Sequence, residues 1–217
     1  MRLLWLLMVA LVVAGGCTRQ VSGVAQPDPR YPPVQVSEDG YGVVAGFADA
    51  PVHVEIFTEP QCTHCADLQA DFGDEIAGYL NTGQLKVTYR PLTFLDAEGG
   101  DHSARVSNAM FAAADSTTSA TAFQELVQQL WAHQEASAMG DDELASMARD
   151  AGVPADVADR IAAGDKVIDT FDMTDVNLGY LFEVNPLNPG TPTVYAPIRD
   201  EVLDIYDDNW LAKLMSS

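Results

Sequence analysis

The chain has 217 residues, 47% of them hydrophobic and 20% charged, a composition that supports one well-buried core plus extensions. Its 11 basic and 32 acidic residues leave a formal net charge of -21. That balance argues against nucleic acid and anionic lipid headgroups as partners, because neither tolerates a surface of its own sign. The acids read as a solvated surface that keeps the protein soluble, with steering of basic partners as the alternative.

Met1-Arg2 followed by the uncharged apolar run Leu3 to Ala14 reads as an export signal. The run is shorter than the ~20 residues of a membrane-spanning helix and ends in small residues. Residues 1–16 are therefore expected to be a signal peptide. Ala14-Gly15-Gly16-Cys17 resembles a bacterial lipobox, departing from it in Ala14, where that motif prefers Leu. The resemblance implies that Cys17 is lipidated and anchors the protein to the cell membrane; the alternative is plain secretion with Cys17 as a stray thiol. Residues 17–42, with Pro27, Pro29, Pro32 and Pro33 among Gly, Ser, Gln and Asp, show no helical or strand period and are expected to form a flexible tether. The folded domain is expected to span 43–217.

Gly42 to Phe47 suggests a short strand or loop. Val52 to Phe57 reads as a buried strand, and Leu68, Phe72, Ile76 and Leu80, four apart, mark one face of a following helix. Asn81-Thr82-Gly83 stops it, and Leu85 to Leu92 is the next strand, expected to be parallel to the first. Helices are predicted over Ser103–Ala114, from a Thr121/Gln124 capping box through Trp131, from Asp141 to Gly152, from Pro154 to Gly164, and over Asp165–Glu183. After the loop Asn185–Gly190 comes a strand from Thr191, a hairpin partner over Glu201–Tyr206 and a last helix, Trp210–Met215.

Between the first long strand and its helix stands Cys62-Thr63-His64-Cys65. At such a junction unpaired backbone N–H groups and the helix dipole stabilise a thiolate on the first cysteine. If Cys17 carries a lipid, this pair holds the only remaining thiols. In an oxidising compartment a lone pair with no scaffold to staple points to redox chemistry.

Order and motifs together resemble the DsbA-like branch of the thioredoxin superfamily over most of 43–217. The resemblance is carried by Phe57 to Cys65 at a strand end, by the helical insertion at about 101–184, and by Gly190-Thr191-Pro192-Thr193 at a strand start, Pro192 lying 127 residues beyond Cys65. It implies an α/β thioredoxin-like fold with βαβ and ββα halves, needing no cofactor and no metal. It also implies a thiol-disulfide oxidoreductase acting outside the cytoplasm on cysteines of exported proteins, with an unidentified redox partner. Cys62 would be the nucleophile and Cys65 the resolving thiol. His64 would stabilise the thiolate or stand idle at the surface. Pro192 would be cis beside the disulfide or a trans strand start, with Thr191 and Thr63 flanking the substrate, and Thr191 free to pair with an extended peptide. Glu55 would relay protons for Cys65 or be an ordinary satisfied acid. Thr63 stands where the family often has Pro, which leaves the direction of electron flow open. The rival readings are a copper-binding or copper-delivering lipoprotein, which would want one more residue between the cysteines and further ligands, and a binding-only lipoprotein.

Overall fold

The computed structural model describes residues 30–96, 100–134 and 139–216. The expected signal peptide and Cys17 lie outside the described residues. The sheet begins earlier than the expected boundary at 43. Val34–Val36 (β1), inside the stretch read as tether, pairs antiparallel with Val43–Ala45 (β2). Its three residues are too few to show a period among the prolines, and tertiary contacts define it instead. Val34 is buried, and the carbonyls of Pro32 and Pro33 accept from the N–H groups of Ala120 and Gly46.

Val52–Thr58 (β3), helix α1 (Thr63–Asn81) and Leu85–Pro91 (β4) form the expected βαβ unit, with β3 and β4 parallel. The helix α1 ends in a hydrogen-bonded left-handed turn. Gly83, at φ 71°, donates to Leu80 O, and Gln84 N donates to Tyr79 O, so orphan carbonyls are satisfied where only glycine is unstrained. After β4 come five helices: α2 (His102–Ala113), α3 (Ala120–Ala132), α4 (Asp141–Asp150), α5 (Ala155–Ala162) and α6 (Thr170–Val184). The chain closes with β5 (Thr193–Ala196), β6 (Glu201–Val202) and α7 (Trp210–Met215). The strand order is β1-β2-β4-β3-β5-β6, so β3, which leads to the cysteines, and β5, which follows Pro192, are antiparallel neighbours. The hairpin strand β6 is shorter than predicted, because Asp204 turns the chain by accepting from Tyr206 N through its side chain and from Asp207 N through its carbonyl.

Helix α1 buries Leu68, Ile76 and Leu80 of the predicted face, with Phe72 partly buried, against the sheet and α3. Gly73 permits the close approach, since a Cβ there would meet the Gln128 side chain at 2.7 Å. The start of α3 differs from the predicted capping box. Ser119 caps it, accepting from Ala122 N at 3.2 Å, while Gln124 points inward and joins Tyr89 and Gln69. A buried amide with two side-chain partners is better satisfied there than at a solvated cap. Ser119→Ala is expected to cost about 1 kcal/mol in urea unfolding, with Thr121→Ala near neutral; the reverse ranking would restore the predicted cap. Helix α6 starts later than predicted, because Asn108 holds Asp165 O and Val167 N in an extended approach and Asp169 then caps the helix.

Candidate active site

Cys62 is the N-cap of α1, in extended backbone geometry, and its carbonyl accepts from Cys65 N at 3.0 Å and Ala66 N at 3.2 Å. Its Sγ is half-buried and as a thiol donates to Thr191 O at 3.3 Å, which joins the two stretches singled out in the sequence. The Cys62 pKa is lowered from 9.0 to about 5. A hydrogen bond from the Cys65 thiol contributes most, opposed by burial and helped by the Thr191 side chain and the N–H groups of Cys65 and His64. Cys65, one turn on and 1% exposed, moves the other way: burial and its donation to Cys62 push its thiol far above the usual range. Both cysteines are free. The pair is thus built with one sulfur that keeps a negative charge and one that keeps its proton.

The Thr191–Pro192 peptide bond is cis, and both residues are partly buried at the site. The loop is held from behind by Thr193, whose hydroxyl donates to Gly190 O at 2.7 Å, and by Asn185 on Asn188 O. Thr63 is exposed on the first turn of α1. His64 is also exposed, and its ring faces Asp67 at 3.5 Å. What reaches the Cys62 sulfur from His64 is its backbone N–H, a consequence of the helix start that any residue except proline provides.

The structure commits Glu55 elsewhere. It is buried, and its Oε2 accepts from Arg90 Nε at 2.7 Å. Arg90 also donates to Asp39 and lies 5.1 Å from the Tyr180 ring, while Asn177 on α6 donates to Tyr41 O and Pro91 O. This polar knot ties β3, β4 and the β1–β2 hairpin to α6.

The acid at the cysteines is Glu59, fully buried, whose carbonyl accepts from Cys62 N at 3.0 Å and whose backbone also reaches Cys65. Its Oε2 accepts from Gln61 N at 2.6 Å and its Oε1 from the Ser103 hydroxyl. Burial raises its pKa to about 7, with the charges of Asp96 and Cys62 adding to the effect and the two hydrogen bonds opposing it. Gln61 Nε2 donates to Ser103 Oγ at 2.9 Å and to Asp96 Oδ1 at 3.0 Å, and Asp96 receives the first N–H groups of α2. Gln134, from the end of α3, donates to Cys62 O at 2.8 Å. Glu59 was within the motif the sequence singled out, six residues before Cys65, but the strand's alternation ends at Thr58 and Pro60 turns the chain. Ser103 and Gln134 carried no signal.

Among the described residues, no group of three or more His, Cys, Asp or Glu side chains is arranged to hold a metal ion, and no helix is long and apolar enough to cross a membrane.

A thioredoxin family model matches residues 38–198. Curated proteins show no sequence match. Among solved structures, the chain is similar to the MdbA thiol-disulfide oxidoreductase of Corynebacterium diphtheriae, with 19% identity, a TM-score of 0.70, and coverage of 87% of this chain and 95% of that one. The MdbA protein of Corynebacterium matruchotii gives 20%, 0.71, 88% and 92%. Reduced DsbA of Mycobacterium tuberculosis gives 20%, 0.60, 82% and 92%.

Proposed function

That this chain belongs to the thioredoxin family is the premise from which we propose that it is a protein thiol-disulfide oxidoreductase working as an oxidant of exported proteins. One observation carries the direction: the Cys62 thiolate is stabilised to a pKa of about 5. A stabilised thiolate favours the reduced form of the pair, which makes its disulfide a strong acceptor of electrons.

A substrate thiolate attacks Cys62 Sγ in the Cys62–Cys65 disulfide, and the S–S electron pair leaves on Cys65. Burial makes that charge unfavourable, so Cys65 takes a proton, and Glu59, whose backbone meets Cys65 and whose carboxyl is raised to about 7, is the donor of this reading. A second substrate thiolate then attacks the substrate sulfur of the mixed disulfide and releases Cys62 as the stable thiolate. The substrate has lost two electrons and gained a disulfide, and the protein holds them as Cys62 thiolate and Cys65 thiol. A disulfide of a separate redox partner restores the starting state. Thr191 beside Cys62, with Thr63 on the rim, offers backbone for an extended substrate segment. The likeness to the MdbA and DsbA oxidoreductases and the apolar run before Cys17 support a place outside the cytoplasm, with Cys17 as a lipid anchor at the cell membrane.

The reading is tested by equilibrating the protein with glutathione and by asking it to oxidise a reduced two-cysteine peptide. An oxidant is reduced by modest thiol concentrations and forms the peptide disulfide; a pair that stays oxidised in millimolar reduced glutathione would overturn the direction. A second measurement follows the thiolate itself. Alkylation of Cys62 by iodoacetamide is expected to titrate with a midpoint near pH 5, while a midpoint near 9 would remove the basis for the oxidant. The folded pKa lies below the unfolded one, so Cys62 contributes stability to the reduced protein that is full above about pH 9 and lost as pH falls through about 5. Reduced protein is therefore expected to gain stability over Cys62→Ala between those limits.

A further inference from the structure

From the geometry of the buried cluster behind the cysteines we infer that Ser103, contributed by the helical insertion, is a positioning residue that keeps Glu59 ionised so that it can take the proton of Cys65. The inference rests on the proton-relay reading of Glu59 given above and deepens it.

The hydroxyl of Ser103 has a forced direction. Gln61 Nε2 lies 3.0 Å from Asp96 Oδ1, a carboxylate that also receives Ser103 N and Ala104 N and can only accept. The amide of Gln61 is therefore oriented with its NH2 toward Asp96, and the same NH2 lies 2.9 Å from Ser103 Oγ. Ser103 Oγ must accept from Gln61, and its single O–H points to its remaining partner, Glu59 Oε1. The other carboxylate oxygen faces Gln61 N at 2.6 Å, a fixed donor. Both oxygens of Glu59 thus meet donors, and a proton on either would displace one of them. Ser103 is fully buried, as is Glu59, so no solvent substitutes for that bond.

The groups that face Glu59 set the opposition. Asp96, from the loop after β4, and Cys62, at the head of α1, both disfavour its charge, as does burial; Ser103 from α2 and Gln61 N favour it. Cys65 meets the backbone of Glu59 from α1. When Cys62 is bound to a partner sulfur, Cys65 must lose its proton to attack. Its S–H proton passes to Glu59, its electron pair forms the Cys62–Cys65 bond, and the partner sulfur leaves as a thiolate. An already protonated Glu59 cannot receive that proton.

The test uses the reduced full chain mixed with saturating oxidised glutathione, so that the attack of Cys65 on the Cys62–glutathione disulfide is observed by acid quench and mass spectrometry across pH. Ser103→Ala is expected to move the acid limb of this step upward by about one to two pH units, the range set by losing a hydrogen bond to a charged group, with the rate restored at high pH. Ser103→Thr, which keeps the hydroxyl, is expected to retain the parent limb. Glu59→Gln is expected to remove the limb, and adding Ser103→Ala to it to shift nothing further. A limb that persists in Glu59→Gln would overturn the relay itself. A limb lost in Glu59→Gln but unmoved in Ser103→Ala, or a uniform slowing shared by Ser103→Ala and Ser103→Thr, would leave the relay standing and overturn the role of Ser103.

Discussion

Cys62→Ser is expected to reduce exchange with protein substrates to the uncatalysed level, a loss on the order of a thousandfold or more, because it deletes the sulfur through which the mixed disulfide forms. Cys65→Ser is expected to behave differently. Cys62 keeps its place at the N-terminus of α1, with the N–H groups of Cys65 and His64 still directed at its sulfur. It therefore still attacks a substrate disulfide, but nothing resolves the product, and a mixed disulfide accumulates that non-reducing electrophoresis and mass spectrometry detect. Loss of the Cys65 thiol also removes the largest stabilisation of the Cys62 thiolate, so its alkylation midpoint is expected to rise above 5. If Cys65→Ser traps no adduct while Cys62→Ser does, the two roles are exchanged. Equal activity of both variants and the parent would end the enzyme reading altogether.

Arg90→Met is expected to destabilise the protein by about 3–5 kcal/mol, the usual cost of leaving a buried charge without its partner. Arg90 and Glu55 are both buried, so solvent is poorly placed to replace the 2.7 Å hydrogen bond. The loss also frees Asp39, removes the cation from the face of Tyr180 and weakens the hold of the sheet on α6. Urea unfolding of the single and double variants measures it. Adding Glu55→Leu to Arg90→Met is expected to recover part of the loss, since a buried pair replaced by apolar groups is often tolerated. A change below 1 kcal/mol for Arg90→Met would mean that the network is solvated. Because Glu55 is engaged with Arg90, Glu55→Gln is expected to lower stability and to leave the pH dependence of Cys65 attack in place.

These two experiments fall on opposite sides of what could be read without a fold. The βαβ unit was legible because each part has its own period: alternation or a continuous apolar run in β3 and β4, and a spacing of four in Leu68, Phe72, Ile76 and Leu80. The helix starts were less legible. A cap depends on which polar side chain is left in solvent, and Gln124 is drawn into the core by Tyr89 and Gln69, from elements 35 and 55 residues away. The strand β1 was hidden for a related reason, since three residues among prolines become a strand only when β2 supplies a partner.

By itself the sequence determined where the cysteine pair sits, its order along the helix start and its opposite lip. Cys-x-x-Cys at a strand-to-helix junction places the first sulfur over unpaired N–H groups and the second one turn inward, a consequence of helical geometry alone. Thr191-Pro192 before a strand announced the facing loop. Only the tertiary structure separated the two acids near the cysteines. Glu55 and Glu59 stand four residues apart, and alternation cannot rank them once the strand ends at Thr58. In the fold Arg90 pairs with Glu55, while Ser103 and Gln61 meet the two carboxylate oxygens of Glu59, whose backbone reaches Cys65. Arg90 and Ser103 are 35 and 44 residues distant from the acids they meet, and Gln61 turns back from two positions on. Burial and charge pairing are properties of the assembled fold, and at Glu59 burial, helped by the charges of Asp96 and Cys62, raises the carboxyl to about 7.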